Sequence, residues 1–493
     1  MNTDVIVIGS GFGGSVVAAR TAQAGLGTVV LERGGPLDVA HWNSINEGRA
    51  GLHRGTHDNG PLDIHAMRGL GALTGNALGG GSRIYTSVTI RPPPDIFGDS
   101  WPSNLDHATL AASYDRVEST IRPTPCPDTQ SRVKWMGMLG QFLNFPVTRL
   151  PLAVDWNRMP ASQARCDGNS SFMSELGDWF RGAGGMKRSL NQTYLLLAAE
   201  CGAAIHTNAS VRVIEPIAGG FRVWFDQLVD GDSRPGSWTA RRVIVSAGTL
   251  NTLRLLFTNR DEHRTLPHIS PQLGERFFTN GDRGALLLSD AYDWAADFAP
   301  PALAWFDRWD SHRFFMMDLG RSPLVRGPIL RLLKKIARHP RGYPLKLRHE
   351  KHGAVALSAW IVGIMGAGEA PRRLTYSRSG HLRCTSNHNS DQSREDVVQA
   401  SIDALANAAG ASWLMVPAFL ERRMPLTVHP LGGAVMADSP DLGVADSYGE
   451  VFGHPGLFIA DGSLVPTPTG VPPSMTIAAL AERVATRIME SAR

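Results

Sequence analysis

The chain has 493 residues, 43% hydrophobic and 19% charged. It can bury a large core and is too long for one ordinary domain, so two joined domains are expected. The formal charge of +4 is unevenly placed: between Arg321 and Lys351 lie ten cations and one acid, which leaves about −5 for the remainder. No run of interleaved aromatics or binding motif accompanies those cations, which speaks against nucleic acid as a partner. Cys126, Cys166, Cys201 and Cys384 are widely spaced, with no CxxC pair. That pattern excludes a zinc site or a disulfide framework and predicts reduced thiols.

In chain order, Asp4 to Ile8 is a short β-branched apolar run that enters Gly9-Ser10-Gly11-Phe12-Gly13-Gly14 and then an Ala-rich helical stretch from Ser15 to Ala24. A second strand, Thr28 to Leu31, ends in Glu32. This is the pattern of a dinucleotide-binding βαβ unit. Gly9 permits the tight turn, Gly11 admits a pyrophosphate close to the backbone, and Gly14 lets the helix pack on the strand. The helix N-terminus favours the negative charge. Glu32 is placed to accept from a ribose diol, which argues against a 2′-phosphate and hence against NADP. The unit alone does not choose between NAD and FAD. The start of the chain leaves no room for a signal peptide, so a cytoplasmic location is expected.

Further along, Ile329, Leu330, Leu332, Leu333 and Ile336 interleave with Arg331, Lys334, Lys335 and Arg338, an apolar stripe beside a cationic face at helical spacing. Residues 329–348 therefore read as a surface helix packed on a neighbouring domain, as a lid, or as a transient contact with an anionic membrane surface. The uncharged run from His352 to Gly368 is shorter than the ~20 residues of a membrane span and predicts a buried strand. Thr427 to Gly433 places His429 on a Gly/Pro-rich loop. Gly456 to Ala460 predicts another buried strand. It is followed by Asp461-Gly462-Ser463, Gly470-Val471-Pro472-Pro473 and a helix from Ser474 to Met489, whose N-terminus offers partial positive charge and, if aimed at a flavin, would stabilise the anion formed on hydride uptake.

His429-Pro-Leu-Gly-Gly433, Asp461-Gly462-Ser463 and Thr476 to Arg483 resemble the C-terminal signature of the glucose-methanol-choline (GMC) oxidoreductases, in particular their cholesterol oxidase-like members with non-covalent FAD. Leu78 to Ser82 with Tyr85 and Arg91-Pro-Pro is similar to the family's flavin loop. Lys187 to Leu195, Val243 to Gly248, Leu273 to Arg276 and Asn280-Gly281-Asp282 match further family segments, and Arg283 to Pro425 matches least. The resemblance implies an α/β fold (α+β overall): a Rossmann-like FAD-binding domain of residues 1–40, 186–282 and 437–493, and a substrate domain of 41–185 and 283–436 built on a mixed β-sheet. It assigns Gly9, Gly11, Phe12, Gly13, Gly14 and Glu32 to the ADP half of FAD. Gly80, Gly81 and Ser82 go to the pyrophosphate and ring loop, Val211 to the adenine, and Asp461, Gly462, Pro472 and Met475 to the ribityl chain and ring. The flavin loop holds no histidine, so FAD is expected to be non-covalent, and no metal is expected.

Oxidation of an alcohol needs a group that takes its proton while the carbinol carbon gives up hydride, and histidine suits this. His429 is that candidate. The family places an Asn or His opposite it; here Pro472 stands in that place and cannot donate. Tyr85, in place of another family Asn, is a candidate substitute donor. Three readings follow: oxidation of a hydroxyl on a bulky apolar molecule (steroid, terpenoid or polyketide); a redox-neutral isomerisation or cyclisation with His429 or a carboxylate such as Glu369 as acid/base; and a non-enzymatic flavin-binding scaffold.

Overall fold

The computed structural model describes residues 2–36, 52–53, 60–67, 69–158, 179, 182, 185–229, 231–289, 300–325, 345–346, 357–377, 380–385, 392–415 and 426–492. Cys166 and the cationic stretch 329–348 lie outside these, apart from the backbone of Leu345–Lys346, which pairs with Trp413 and Leu414.

One half is built on a seven-stranded sheet. Its order is Ala209–Ile217, Gly220–Val229, Asp232–Val245, Asn2–Ile8, Thr28–Leu31 and Ala204–His206, with Leu457–Ile459 parallel to the end of Asp232–Val245. Val5, Ile6 and Val7 are fully buried, as a strand covered on both faces requires. Registers Ile8↔Val245, Ile8↔Leu31 and Val245↔Ile459 bring four carboxyl ends into one row. A crevice beyond such a row is where open parallel sheets bind ligands. The helices Phe12–Gln23 and Ser474–Glu490 pack together beside this sheet, with Ala18, Ala19, Ala478, Ala481 and Ala485 among their buried residues. Glu482, buried in the last helix, accepts from Arg20 (2.8 Å) and Tyr194 (2.9 Å).

The other half carries a second seven-stranded sheet: Leu345–Lys346, Ser412–Met415, Arg283–Ser289, Leu357–Gly366, Phe314–Val325, Ala304–Arg308 and Val147–Arg149. Leu357–Gly366 is the strand expected in the uncharged run. The expected mixed pairing in this half belongs to a smaller sheet, in which Leu62–Met67 and Leu70–Gly75 are antiparallel while Leu426–Thr427 runs parallel to the latter. Pairs in the large sheet are antiparallel; among its neighbours only Ala304–Arg308 and Phe314–Val325 follow one another by a short connection. Its side chains alternate with period two. Trp360, Val362, Ile364 and Met316 bury one face with helices Ser131–Leu143 and Gln392–Ala408. Met317, Leu319, Ile361, Gly363 and Met365 turn the other face toward the crevice. A buried ion pair, Arg132 Nε to Asp318 Oδ2 at 2.7 Å, ties the first of those helices to the sheet.

Candidate active site

A cavity of about 1490 Å³ runs from the carboxyl ends of the parallel strands to the apolar face of the antiparallel sheet. Small-ligand pockets typically hold ~300–1,000 Å³, so there is room for a dinucleotide and a second molecule.

At the parallel end two glycine loops meet. Gly9 has φ +96°, a left-handed turn that glycine adopts without strain. Gly11 caps the helix Phe12–Gln23 with no side-chain acceptor and no acid in the first turn, and a Cβ added there would meet nothing within 4 Å. Open space and free N–H groups coincide, as an anion site requires. Close helix-to-strand packing rests on Gly14, whose Cβ would overlap the Gly9 carbonyl at the end of the first strand, and equally on Gly13, whose Cβ would overlap the Ala460 carbonyl; Gly14 does not line the cavity. Gly80 abuts Gly11, and Gly81 lines the cavity beside it, while Ser82 is buried under the loop, donating to the Gly79 carbonyl at 2.8 Å. Glu32 accepts from Ser10 N (2.8 Å), Ser10 Oγ (2.6 Å) and Gly34 N (2.7 Å). Ser10 Oγ in turn accepts from Gly79 N. A carboxylate has about four acceptor positions, so Glu32 locks both loops and keeps capacity for a ribose hydroxyl.

Phe12, Val211, Asp461, Gly462 and Pro472 also line the cavity; Met475 is fully buried in the core. The Asp461 carboxylate, pushed up by burial, accepts from Gly248 N, Thr252 Oγ1 and Ser463. It thereby fixes the strand end against helix Thr249–Phe257. Helix Ser474–Glu490 starts at Pro473 with no side-chain cap, so a second uncapped N-terminus borders the cavity.

Three loops converge at the other end. The two-residue bridge of Phe277–Phe278 with Leu431–Gly432 sets the loop of Asp282 beside that of His429. Asn280, at φ +58°, donates to the Val471 carbonyl and accepts from Gly470 N, both at 2.9 Å, so the loop of Pro472 is held to the same point. His429 Nδ1 lies 2.9 Å from Asp282 Oδ1. Asp282 Oδ2 accepts from Thr427 Oγ1 (2.9 Å), Val428 N (2.9 Å) and His429 N (3.1 Å). Asp282 escaped the sequence reading, which saw only a family match at Asn280-Gly281-Asp282. The available signal was a turn of residues tolerant of positive φ placing an acid just before a strand.

The other two candidates are employed elsewhere. Tyr85 lines the cavity, but its hydroxyl donates to the Arg188 carbonyl at 3.1 Å and its ring sits edge-on to Phe12, with the buried Lys187 ammonium 5.0 Å from its centre. Burial lowers that ammonium well below the ordinary lysine range. Glu369 does not line the cavity. It accepts from Thr279 N (2.7 Å), Thr279 Oγ1 (2.7 Å) and Arg372 Nε (3.0 Å), bracing the loop that carries Asp282. Glu369→Gln is accordingly expected to lower unfolding stability by about 1–3 kcal/mol through lost acceptors. Turnover should fall by less than about the hundredfold at which general acid–base effects begin; urea unfolding and steady-state rates on one preparation check both.

A cavity bordered by two glycine loops and two open helix N-termini, with a histidine–carboxylate pair at its apolar end, has the build of a dinucleotide-dependent enzyme. Comparison with known proteins gives the family. GMC oxidoreductase profiles match residues 3–260 and 374–481, and the chain belongs to that family. It is 27% identical to a cholesterol oxidase of Mycobacterium tuberculosis (98% of this chain, 90% of that protein) and 25% identical to one of Acinetobacter baumannii (97% and 93%). The crystal structure of pyridoxine 4-oxidase from Mesorbium loti shares the fold, with a TM-score of 0.65 at 16% identity over 98% of both chains. GMC oxidoreductases are FAD enzymes, and FAD is the cofactor of this chain. The open space at Gly11, the close approach of Gly80 and the two uncapped helices fit it. Among the described residues no helix is long and apolar enough to cross a membrane, and no cluster of ligands fits a metal.

Proposed function

We propose that this enzyme oxidises a hydroxyl group on a bulky apolar substrate of steroid, terpenoid or polyketide type, with His429 as the base. One observation carries the reading: His429, its Nδ1 already engaged, lines a cavity walled by Met317, Leu319, Ile361 and Met365. FAD, held without a covalent bond by the domain of residues 1–40, 186–282 and 437–493 together with the loop of Gly80, Gly81 and Ser82, would supply the hydride acceptor. The chain's own groups do the rest. The methionine- and leucine-lined wall exclude water and take up an apolar skeleton, and His429 accepts the hydroxyl proton. Similarity to cholesterol oxidases supports a substrate of this size. The free thiols Cys126, Cys201 and Cys384 support a cytosolic setting.

A second reading is favoured by Pro472, which lines the cavity and offers no side-chain donor: proton transfer by His429 without net oxidation. Mixing the yellow protein anaerobically with a panel of steroid and terpenoid alcohols tests the two. Bleaching of the flavin and a product two hydrogens lighter is the expected result. Consumption of substrate with the flavin still oxidised and the product mass unchanged would replace oxidation by the redox-neutral reading.

A further inference from the structure

We propose that Asp282 is a positioning residue that fixes the proton of His429 on Nδ1, leaving Nε2 as the proton acceptor for substrate in a site where Pro472 offers no second side-chain donor. The proposal rests on the reading of His429 as the base.

A carboxylate only accepts. At 2.9 Å from Asp282 Oδ1, His429 Nδ1 must therefore carry the hydrogen. In neutral imidazole the other nitrogen then holds the lone pair. Nε2 has no protein partner among the described residues, and the ring lines the cavity. The carboxylate is itself immobilised: Val428 N and His429 N, which can only donate, both point at Oδ2. The same acid thus holds the backbone of the histidine and its ring. Around this pair, Arg283 Nη1 donates to the Asp282 carbonyl at 2.8 Å and its Nε lies 3.4 Å from Glu395, so the neighbouring cation is turned toward another acid.

In the reaction the substrate O–H bond breaks and its proton passes to Nε2. The carbinol C–H bond would break with its electron pair leaving as hydride, for which FAD bound at the glycine loops would be the acceptor, and the carbon–oxygen double bond would form. Asp282 then faces an imidazolium, whose charge it offsets, and the proton leaves to solvent. Turnover is completed by an external electron acceptor such as molecular oxygen. In the family pattern a second side chain helps hold the alcohol oxygen. Here Pro472 supplies no such side chain, so the tautomer of the histidine bears directly on proton uptake.

Asp282→Asn separates this role from a merely structural one. Val428 N and His429 N would retain the amide oxygen at the place of Oδ2, so the amide NH₂ would face Nδ1. That nitrogen must then accept, and the hydrogen moves to Nε2, where it blocks proton uptake. The expected result is a fall in the rate of flavin reduction of about 10³–10⁴-fold, the scale of a wrong-tautomer defect, with FAD content and substrate KM unchanged. Nitrogen NMR of uniformly labelled protein reads the tautomer directly, with the His429 signals identified by their loss in His429→Gln. Protonated Nδ1 is expected in the parent and protonated Nε2 in Asp282→Asn. A parent whose hydrogen sits on Nε2, or a variant that keeps more than about a tenth of the parent rate against the expected scale, overturns the proposal. Should Asp282→Asn fail to fold, the parent spectrum alone decides. Should no alcohol reduce the flavin, the functional reading falls, while the tautomer measurement, which needs no substrate, still tests Asp282.

Discussion

Replacing His429 by alanine is expected to slow flavin reduction by about 10²–10⁴-fold, the usual range for loss of a general base, with FAD content and thermal unfolding close to those of the parent. At ~1.36 kcal/mol per decade, that is a loss of about 3–5 kcal/mol of transition-state stabilisation. The fold survives because the loop does not depend on the imidazole. Thr427 Oγ1, Val428 N and His429 N still reach Asp282, and Leu431–Gly432 still pairs with Phe277–Phe278. The loss is large because the neighbours cannot take over. The Tyr85 hydroxyl is committed to Arg188, Glu369 is committed to Thr279 and Arg372, and Pro472 has nothing to offer. Anaerobic stopped-flow with the best alcohol from the panel measures the effect. A variant within about tenfold of the parent, below the range for a general base, would remove His429 from the chemistry and leave the flavin fold without an assigned base.

The parallel half of the molecule was legible because each of its steps leaves a local mark. The run Asp4 to Ile8, fully apolar from Val5, can only be a strand buried on both faces, and the strand is found at Asn2–Ile8. Thr28–Leu31 appears within the bounds read for it, and Glu32 stands at its end. The first helix begins at Phe12 and not at Ser15, because Gly11 takes the capping position and the glycines that look like loop are already helix. The motif told that Gly11 opens and Gly14 packs, but not that Gly13 packs as well. That depends on the Ala460 carbonyl, supplied by a strand at the far end of the chain. The antiparallel sheet was hidden for a different reason. Strand Phe314–Val325 buries Met316 against helices and turns Met317 to the cavity, so both faces are apolar and the alternation that marks a strand is erased. The pairing of Asp282 with His429 joins residues 147 apart through a bridge of two residues on each side, and nothing local announces it. Glu369 misled for the converse reason: an isolated acid after an uncharged run looks like a site residue, whereas here it satisfies buried backbone N–H groups.

The glycine motif yields the other large effect, and two neighbouring alanine substitutions are expected to fail in different ways. Gly13 sits in the first turn of its helix with ordinary helical backbone, so alanine there meets no conformational objection. Its Cβ, however, would occupy the space of the Ala460 carbonyl oxygen, with the Ser246 side chain close behind at 3.1 Å. Neither backbone can yield alone. The helix would have to leave the strand, opening the pyrophosphate site and the junction with Leu457–Ile459 together. Overpacking of a rigid contact costs about 1–3 kcal/mol and more where backbone must move. A further loss follows from the stabilisation that a tightly bound cofactor lends the folded state. Gly13→Ala is therefore expected as a protein without FAD and with a markedly lower melting temperature, or as insoluble chain. Gly11→Ala differs by two positions and should behave otherwise. Its added methyl group enters open space at the helix N-terminus, so the apo-protein should melt where the parent apo-protein does while FAD retention falls, since the methyl group stands where the pyrophosphate approaches. Flavin absorbance per chain after gel filtration, together with melting of the apo forms, separates the two. Equal melting of apo Gly13→Ala and apo parent would show that the Gly13–Ala460 contact does not hold this end of the fold together, and normal flavin in Gly11→Ala would move the pyrophosphate away from that helix.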